Sequence, residues 1–189
     1  NDLWSGDNNN RSSGVGILLK GNSLKVLKTR EVINGRLIYV DLKLNDFSFR
    51  VINVYFPVDL QGRKEALKAL SPLLICGKEI ILGGYFNCPL SQSDRQSSSN
   101  VSLDSSSQEL INLVKDFGLV DTFRTKHPDS PGYSWSNGRS FSRIDFLFTS
   151  PQITVLNAGI NATFFSDHSK VKAELLFGGT RVKGTGLWK

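Results

Sequence analysis

The run VINVYF, residues 51–56, constrains this chain more than any other feature, because it is apolar almost throughout. A strand without alternation is buried on both faces, so it lies inside a sheet that is covered above and below. Upstream, residues 14–20, 24–30 and 36–44 lean toward β structure and are separated by turn residues. In the last of these Ile38, Val40, Leu42 and Leu44 alternate with polar or amphipathic neighbours, the pattern of a strand with one core-facing side. The turn at Asn45-Asp46 then leads into FSFRVINVYF. Consecutive antiparallel strands follow, with the one ending in VINVYF central.

Asp59 is placed to cap a helix through GRKEALKALSPLLIC, in which Ala66, Leu67, Leu70, Leu73 and Leu74 fall near helical spacing. Pro72 kinks or delimits it. The β-branched run KEIILGG, residues 78–84, reads as a buried strand that delivers a loop to a sheet edge. Residues 91–107, SQSDRQSSSNVSLDSSS, read as a mobile loop. A second outer helix follows in SQELINLVKDFGLVDTFR, with Ser107 and Glu109 near capping-box spacing and Gly118 at the stop. Further strand candidates are YSWS, SRIDFLF and SKVKAELLF. Strand clusters interrupted by helices predict an α/β fold of two mixed sheets packed face to face, with helices outside.

At 189 residues and 39% hydrophobic content the chain is large enough for one domain with a substantial core, here residues 1–177. The tail, residues 178–189, is glycine-rich and basic and reads as a linker toward a following domain. A net charge of +6 favours a polyanionic partner such as nucleic acid. Cys76 and Cys88 are too few for a disulfide framework, which fits a reducing compartment and an intracellular location, cytoplasm and nucleus. Together with His127 and His168 they lack the spacing of a zinc site. No apolar run has membrane-spanning length, so no membrane partner is expected. The opening NDLWSGDNNNRSSG lacks an initiator Met and reads as the start of a piece cut from a longer frame.

Three polar clusters stand at strand ends: GGYFN at 83–87, SRID at 142–145 and SDH at 166–168. Taken singly, Arg143 and Asp145 read as an ion pair on one strand face, and Asp167 and His168 as a solvated turn. Taken together they suit attack on a phosphodiester: a histidine beside a metal-binding aspartate, with a second aspartate to orient the imidazole. Asn87 is suited to holding a phosphate oxygen or orienting water. Tyr55, at the end of NVYFP, either donates to the same phosphate or packs at the rim.

In the order GVGILLK, NVYFP, GGYFN, YSW, SRIDF and SDHS, nearly the whole chain resembles the endonuclease/exonuclease/phosphatase superfamily, which includes exonuclease III, apurinic endonucleases and pancreatic deoxyribonuclease. Its SDHSKVKAEL and trailing GTGLWK look most like the apurinic-type endonuclease domain of LINE-type non-LTR retrotransposons. The resemblance implies a four-layer α/β sandwich of DNase I type, a Mg²⁺ or Mn²⁺ ion, DNA as partner, and nicking of target DNA ahead of a reverse transcriptase domain. Position by position it implies Asp167 as metal ligand, His168 as the group that stabilises charge on the scissile phosphate, and Asp145 as its orienter. It further implies Asn87 and Tyr55 as contacts to phosphate or water, and Ser134 and Ser166 as hydroxyls near the DNA.

Two departures stand against that pattern. The general-base aspartate of the family's Gly-Asp-Phe-Asn is Tyr85 here, and a phenol with an ordinary pKa of about 10 stays protonated at neutral pH. The family's early asparagine and metal-binding glutamate have no counterpart ahead of GVGILLK, so the fold is expected to lack its first strands and the metal site to be weakened. A general base contributes about 10²- to 10⁴-fold, which predicts an impaired endonuclease domain. The alternative is a non-catalytic nucleic-acid-binding remnant of the same fold.

Overall fold

The computed structural model describes residues 2–6, 14–96 and 102–178. In chain order it contains the strands β1 (Asp2–Ser5), β2 (Val15–Leu18), β3 (Leu24–Ile33), β4 (Leu37–Leu44) and β5 (Phe47–Tyr55), then helix α1 (Leu60–Leu74) and β6 (Glu79–Tyr85). Next come β7 (Arg95–Gln96), α2 (Ser105–Asp116), β8 (Val120–Asp121), α3 (Thr122–Lys126), β9 (Trp135–Ser136), β10 (Phe141–Ser142) and β11 (Asp145–Thr149). A last hairpin is made by β12 (Thr154–Asn161) and β13 (Lys170–Leu176).

The main sheet has six strands in the order β3-β4-β5-β6-β11-β8. As the apolar VINVYF run requires, β5 is interior, flanked by antiparallel β4 and parallel β6. The parallel step needs a crossover, which α1 supplies. One face of the sheet presents Leu37, Ile52, Val54, Leu82, Phe146 and Phe148 to Leu67, Leu70 and Leu74 of α1 and Leu110 and Leu113 of α2. Leu70 is fully buried there, and its replacement by alanine costs about 2–5 kcal/mol on general grounds. The opposite face presents Ile38, Val40, Leu42 and Phe49 to Val15 and Ile17 of β2. At the same face Phe177, just past β13, packs on Phe47 and Phe49. The architecture is thus an α/β sandwich of packed strand layers with outer helices. Among the described residues the second layer consists of two separate hairpins, β1–β2 and β12–β13, instead of one continuous sheet.

Local signals explain most of the boundaries. Asp59 caps α1, its Oδ1 accepting from Gly62 N at 2.7 Å, and Pro72 sits inside the last turn without ending the helix before Leu74. Strand β4 departs from simple alternation: Leu37 to Leu42 are all buried, because helices cover one face and the β1–β2 hairpin the other. That burial includes Asp41, which Arg50 neutralises through Nε at 2.6 Å and Nη2 at 3.0 Å.

Residues 91–107 differ most from expectation. Instead of a free loop the segment is tied at both described ends by charge pairs, a fully buried one at Asp94 and a partly exposed one at Asp104. Asp94 has no exposed surface, and it accepts from Arg143 Nε at 2.8 Å and Arg124 Nη2 at 2.8 Å. At the other end Asp104, not Ser107, caps α2, accepting from Ser107 N at 3.0 Å. Arg63 of α1 grips this cap, donating to Asp104 Oδ2 at 2.6 Å and to Ser106 Oγ at 2.8 Å. The residues between, 97–101, lie outside the described residues, as does the tail from residue 179 onward. The second helix ends at Asp116, and VDTFR separates from it as β8 and the start of α3.

Candidate functional site

Sheet register brings three of the singled-out positions into one line. Tyr55 at the end of β5 pairs with Tyr85 at the end of β6, and Tyr85 pairs with Asp145 at the start of β11. Because side chains alternate across a strand, all three project from the same face, the face that also carries the two hairpins. The next positions on that face are Asn53, Gly83 and Leu147. They floor a cleft of about 560 Å³ that opens between β2 and the approach to β13, where Ser166, His168 and Val171 form the wall. Gly84 holds the floor flat. Its φ of +132° suits glycine, and a Cβ there would stand 2.1 Å from Val54 O.

The hydrogen bonds of the site concentrate on the β11 side. His168 Nδ1 donates to Asp145 Oδ2 at 2.8 Å, and Ser134 Oγ donates to the same oxygen at 2.7 Å. This fixes the imidazole and leaves Nε2 as the nitrogen available to a ligand. The Asp145 hydrogen bond raises the His168 pKa above 6.5, against a smaller opposing effect of burial and with added help from the charges of Asp145 and Asp167. The SDH segment is zipped to the chain around β9: Ser136 N donates to Asp167 O at 3.1 Å, and Ser169 N donates to Ser134 O at 2.6 Å. Trp135 Nε1 donates to Asp167 Oδ2 at 2.8 Å, holding an otherwise exposed carboxylate beside His168.

Across the row the chemistry is aromatic. The rings of Tyr55 and Tyr85 stack at 5.4 Å between centroids, and Tyr85 meets His168 edge to face at 4.8 Å. Arg36 covers Tyr55 at 4.6 Å from its centroid. Burial, and then the charge of Asp145, push the Tyr85 phenol up to about 12. At neutral pH it is a neutral donor and cannot take a proton from water. Asn87 lies just beyond the strand end in left-handed backbone, φ +54°, with a buried Nδ2 that has no protein partner among the described residues. It is not among the residues that line the cleft.

Two expectations need correcting. Ser134 was expected near substrate, but it has no exposed surface and lies behind Asp145, with its Oγ also accepting from Asp145 N at 3.0 Å and Ile144 N at 3.1 Å. It is a positioning residue. The simple Arg143–Asp145 ion pair does not form either. Arg143 turns into the core, donating to Asp94 and to Asp121 Oδ2 at 2.6 Å, with its guanidinium 4.6 Å from the centre of the Phe146 ring. Ser166 is exposed on the cleft wall, its Oγ accepting from His168 N at 3.0 Å. Asp94 and Trp135 were missed in the sequence. The first lies in a polar serine-rich run, and the second stood inside a strand candidate, so neither carried a local signal of its partner.

The donor set does not match a ready-made metal cage. Among the described residues no three His, Cys, Asp or Glu side chains converge. Asp145 Oδ2 is already engaged by Ser134 and His168, and Asp167 is the remaining carboxylate beside them. Mg²⁺ is held by one or two carboxylates with water, and Asp167 is the carboxylate of this site left for such a role among the described residues.

Comparison with known proteins agrees with the fold and narrows the family. The model of the "Endonuclease/Exonuclease/phosphatase family" matches residues 2–168. The Transposon TX1 uncharacterized 149 kDa protein of Xenopus laevis is 29% identical over 160 residues, covering 80% of this chain and 12% of that protein. The chain therefore spans only about an eighth of that curated relative. Among solved structures, an AP endonuclease from Archaeoglobus fulgidus superposes with a TM-score of 0.71 at 19% identity, covering 94% of this chain and 79% of the other. A 3′ phosphatase from Neisseria, bound to a product DNA hairpin, gives 0.59 at 22% identity over 76% of this chain and 66% of its own. A mannosyl-6-phosphatase from Bacteroides thetaiotaomicron gives 0.63 at 16% over 94% and 77%. At these identities the structural matches speak for the fold alone.

Proposed function

The chain belongs to the endonuclease/exonuclease/phosphatase family, and from that premise we propose that it is the nuclease-type domain of a LINE-like transposon which grips a DNA phosphate but hydrolyses it poorly. The transposon relative supports the setting; the parent polyprotein, on this proposal, carries a reverse transcriptase domain after this one and works inside the cell. The observation that carries the reading is the row Tyr55–Tyr85–Asp145 beside His168. Where this family's chemistry asks for a carboxylate to activate water, a half-buried phenol with a pKa of about 12 stands instead.

The residues present perform the binding half of phosphodiester chemistry. Ser134 holds Asp145, Asp145 holds His168, and the raised pKa keeps the imidazole cationic at a pH where a free histidine is losing its proton. A cationic Nε2–H directed at a phosphate oxygen is a charge-assisted donor worth roughly 1.5–3 kcal/mol. The Tyr55 phenol, also on the cleft, is a neutral donor to the same anion, and Tyr85 contributes its ring to the stack beside it. We assign Asp167 as the carboxylate that would meet Mg²⁺ or Mn²⁺, weakly, and route no step through the ion.

Fluorescence anisotropy with duplex DNA tests the reading. Affinity should fall with rising salt, as phosphate contacts require, and His168→Ala should weaken it about tenfold at pH 6. Salt-independent binding would remove the phosphate contacts from the account. Salt-dependent binding that ignores His168 would leave a nucleic-acid-binding remnant whose contacts lie elsewhere.

A further inference from the structure

The turn that delivers Asp167 and His168 also carries two bare aromatic rings. Phe164 is 100% exposed and Phe165 76%, and they meet edge to face with centroids 5.1 Å apart. Burying a phenylalanine is worth about 1.5–3 kcal/mol, so two consecutive rings left in water are not explained by the folding of this chain. The turn beneath them is braced. Thr163 Oγ1 donates to His168 O at 2.7 Å, His168 N donates to Ser166 Oγ at 3.0 Å, and Trp135 Nε1 holds Asp167. The rings are therefore presented from a fixed base.

Their surroundings favour one class of occupant. Lys170 and Lys172 are exposed and lie two residues apart on β13, hence on the same face, and Arg139 is exposed in the turn between β9 and β10. That second turn is tied to the first through Ser136 N and Asp167 O. Cationic side chains combined with bare rings make the ordinary equipment for gripping single strands, in which the cations follow the backbone and the rings stack on bases. A protein interface needs about 800 Å² per partner, more than two rings at a turn tip supply. Phe164 is four residues from His168, a span of at most about 14 Å. With phosphates spaced about 3.4 Å along a stacked strand, the rings stand within about four nucleotides of a phosphate held at His168.

We propose that Phe164 and Phe165 form a stacking platform for an unpaired nucleobase of the DNA strand whose phosphate sits at His168, a proposal that rests on the nucleic-acid reading above. The site selects unstacked or single-stranded DNA next to the bound phosphate, because a base within a duplex has no free face to offer. Sequence preference is weak, since every base has a π-face.

The test compares a short single-stranded oligodeoxynucleotide with one of equal length built of abasic sites, by anisotropy, against the unmodified chain, Phe164→Ala/Phe165→Ala and Phe164→Trp. The double variant should lose about tenfold or more in affinity for the base-containing strand and nothing for the abasic one, with an unchanged melting temperature. Phe164→Trp should bind the base-containing strand at least as tightly as the unmodified chain. Equal losses on both strands, no loss on either, or a lowered melting temperature in the double variant would overturn the platform. If the unmodified chain binds neither strand in a salt-dependent way, the nucleic-acid reading fails along with it, a result distinct from the other three.

Discussion

The two sides of the cleft are built differently. On the β11 side Ser134, Asp145, His168, Asp167 and Trp135 form a linked set of hydrogen bonds, each polar group positioned by the next. On the β5–β6 side the Tyr55 and Tyr85 rings meet by stacking, Asn53 Nδ2 donates to Gly16 O at 2.8 Å, and Asn87, just past the end of β6, has a buried Nδ2 without a protein partner among the described residues. Holding an anion needs a fixed donor, and the imidazole of the first side is fixed by Asp145. Activating water needs a base near neutrality, and the second side carries a phenol near 12. On the reading proposed above, binding and hydrolysis are separable within one site, because the groups suited to each stand on different strands.

The comparison breaks most severely at the support behind the β11 side. Arg143→Ala strands Asp94, which is entirely buried, without its main partner, and loss of one member of a buried pair costs about 3–5 kcal/mol. Urea unfolding should register that loss, and a cost under about 1 kcal/mol would mean the network is not structural. Ser134→Ala comes next, at about 1–3 kcal/mol, because the buried Asp145 and Ile144 amides lose their acceptor. The same melts check it.

A smaller effect follows pH. The His168 pKa is raised in the folded chain, so its contribution to stability is full below 6.5 and fades as pH rises through the raised value. DNA affinity should fall over the same window, by about tenfold, and His168→Gln should flatten that fall. An affinity that rises with pH would contradict the cationic donor. Least of all should Tyr85→Phe matter: DNA affinity should stay within about twofold, since the ring and not the hydroxyl supplies the stacking on Tyr55 and His168. A large loss would show that the phenol, rather than the imidazole, holds the phosphate.

What the sequence made legible was local. The apolar VINVYF run placed β5 inside the sheet, Asp59 marked the start of α1, and the motif order assembled Tyr55, Tyr85, Asp145 and His168 around one cleft. What it hid was long-range or irregular. The Arg143–Asp94 bond joins residues 49 apart, and nothing in a serine-rich run announces a buried carboxylate. Strand β12 was not expected because a register shift between Val155 and Asn157 breaks its alternation, leaving Val155 and Ala158 as the buried pair. Strand β1 is four residues long and gains its place from distant partners, by pairing with β2, by Leu3 packing on the core and by Ser5 Oγ accepting from Gly35 N. Ser134 looked like a hydroxyl available to substrate because burial, which decides its role, is set by residues distant in the chain.

Nicking of supercoiled plasmid in Mg²⁺ tests the central claim most directly, with the unmodified chain and its Tyr85→Asp and His168→Ala variants read side by side. The account predicts no nicking by the unmodified chain above a protein-free control, and little by Tyr85→Asp, because a restored carboxylate still meets a site in which no three metal-ligating side chains converge among the described residues. Robust nicking by the unmodified chain would contradict it. If His168→Ala abolished that nicking, the site would stand and the impairment at Tyr85 would fall; if His168→Ala left the rate unchanged, the assignment of the site would fall as well.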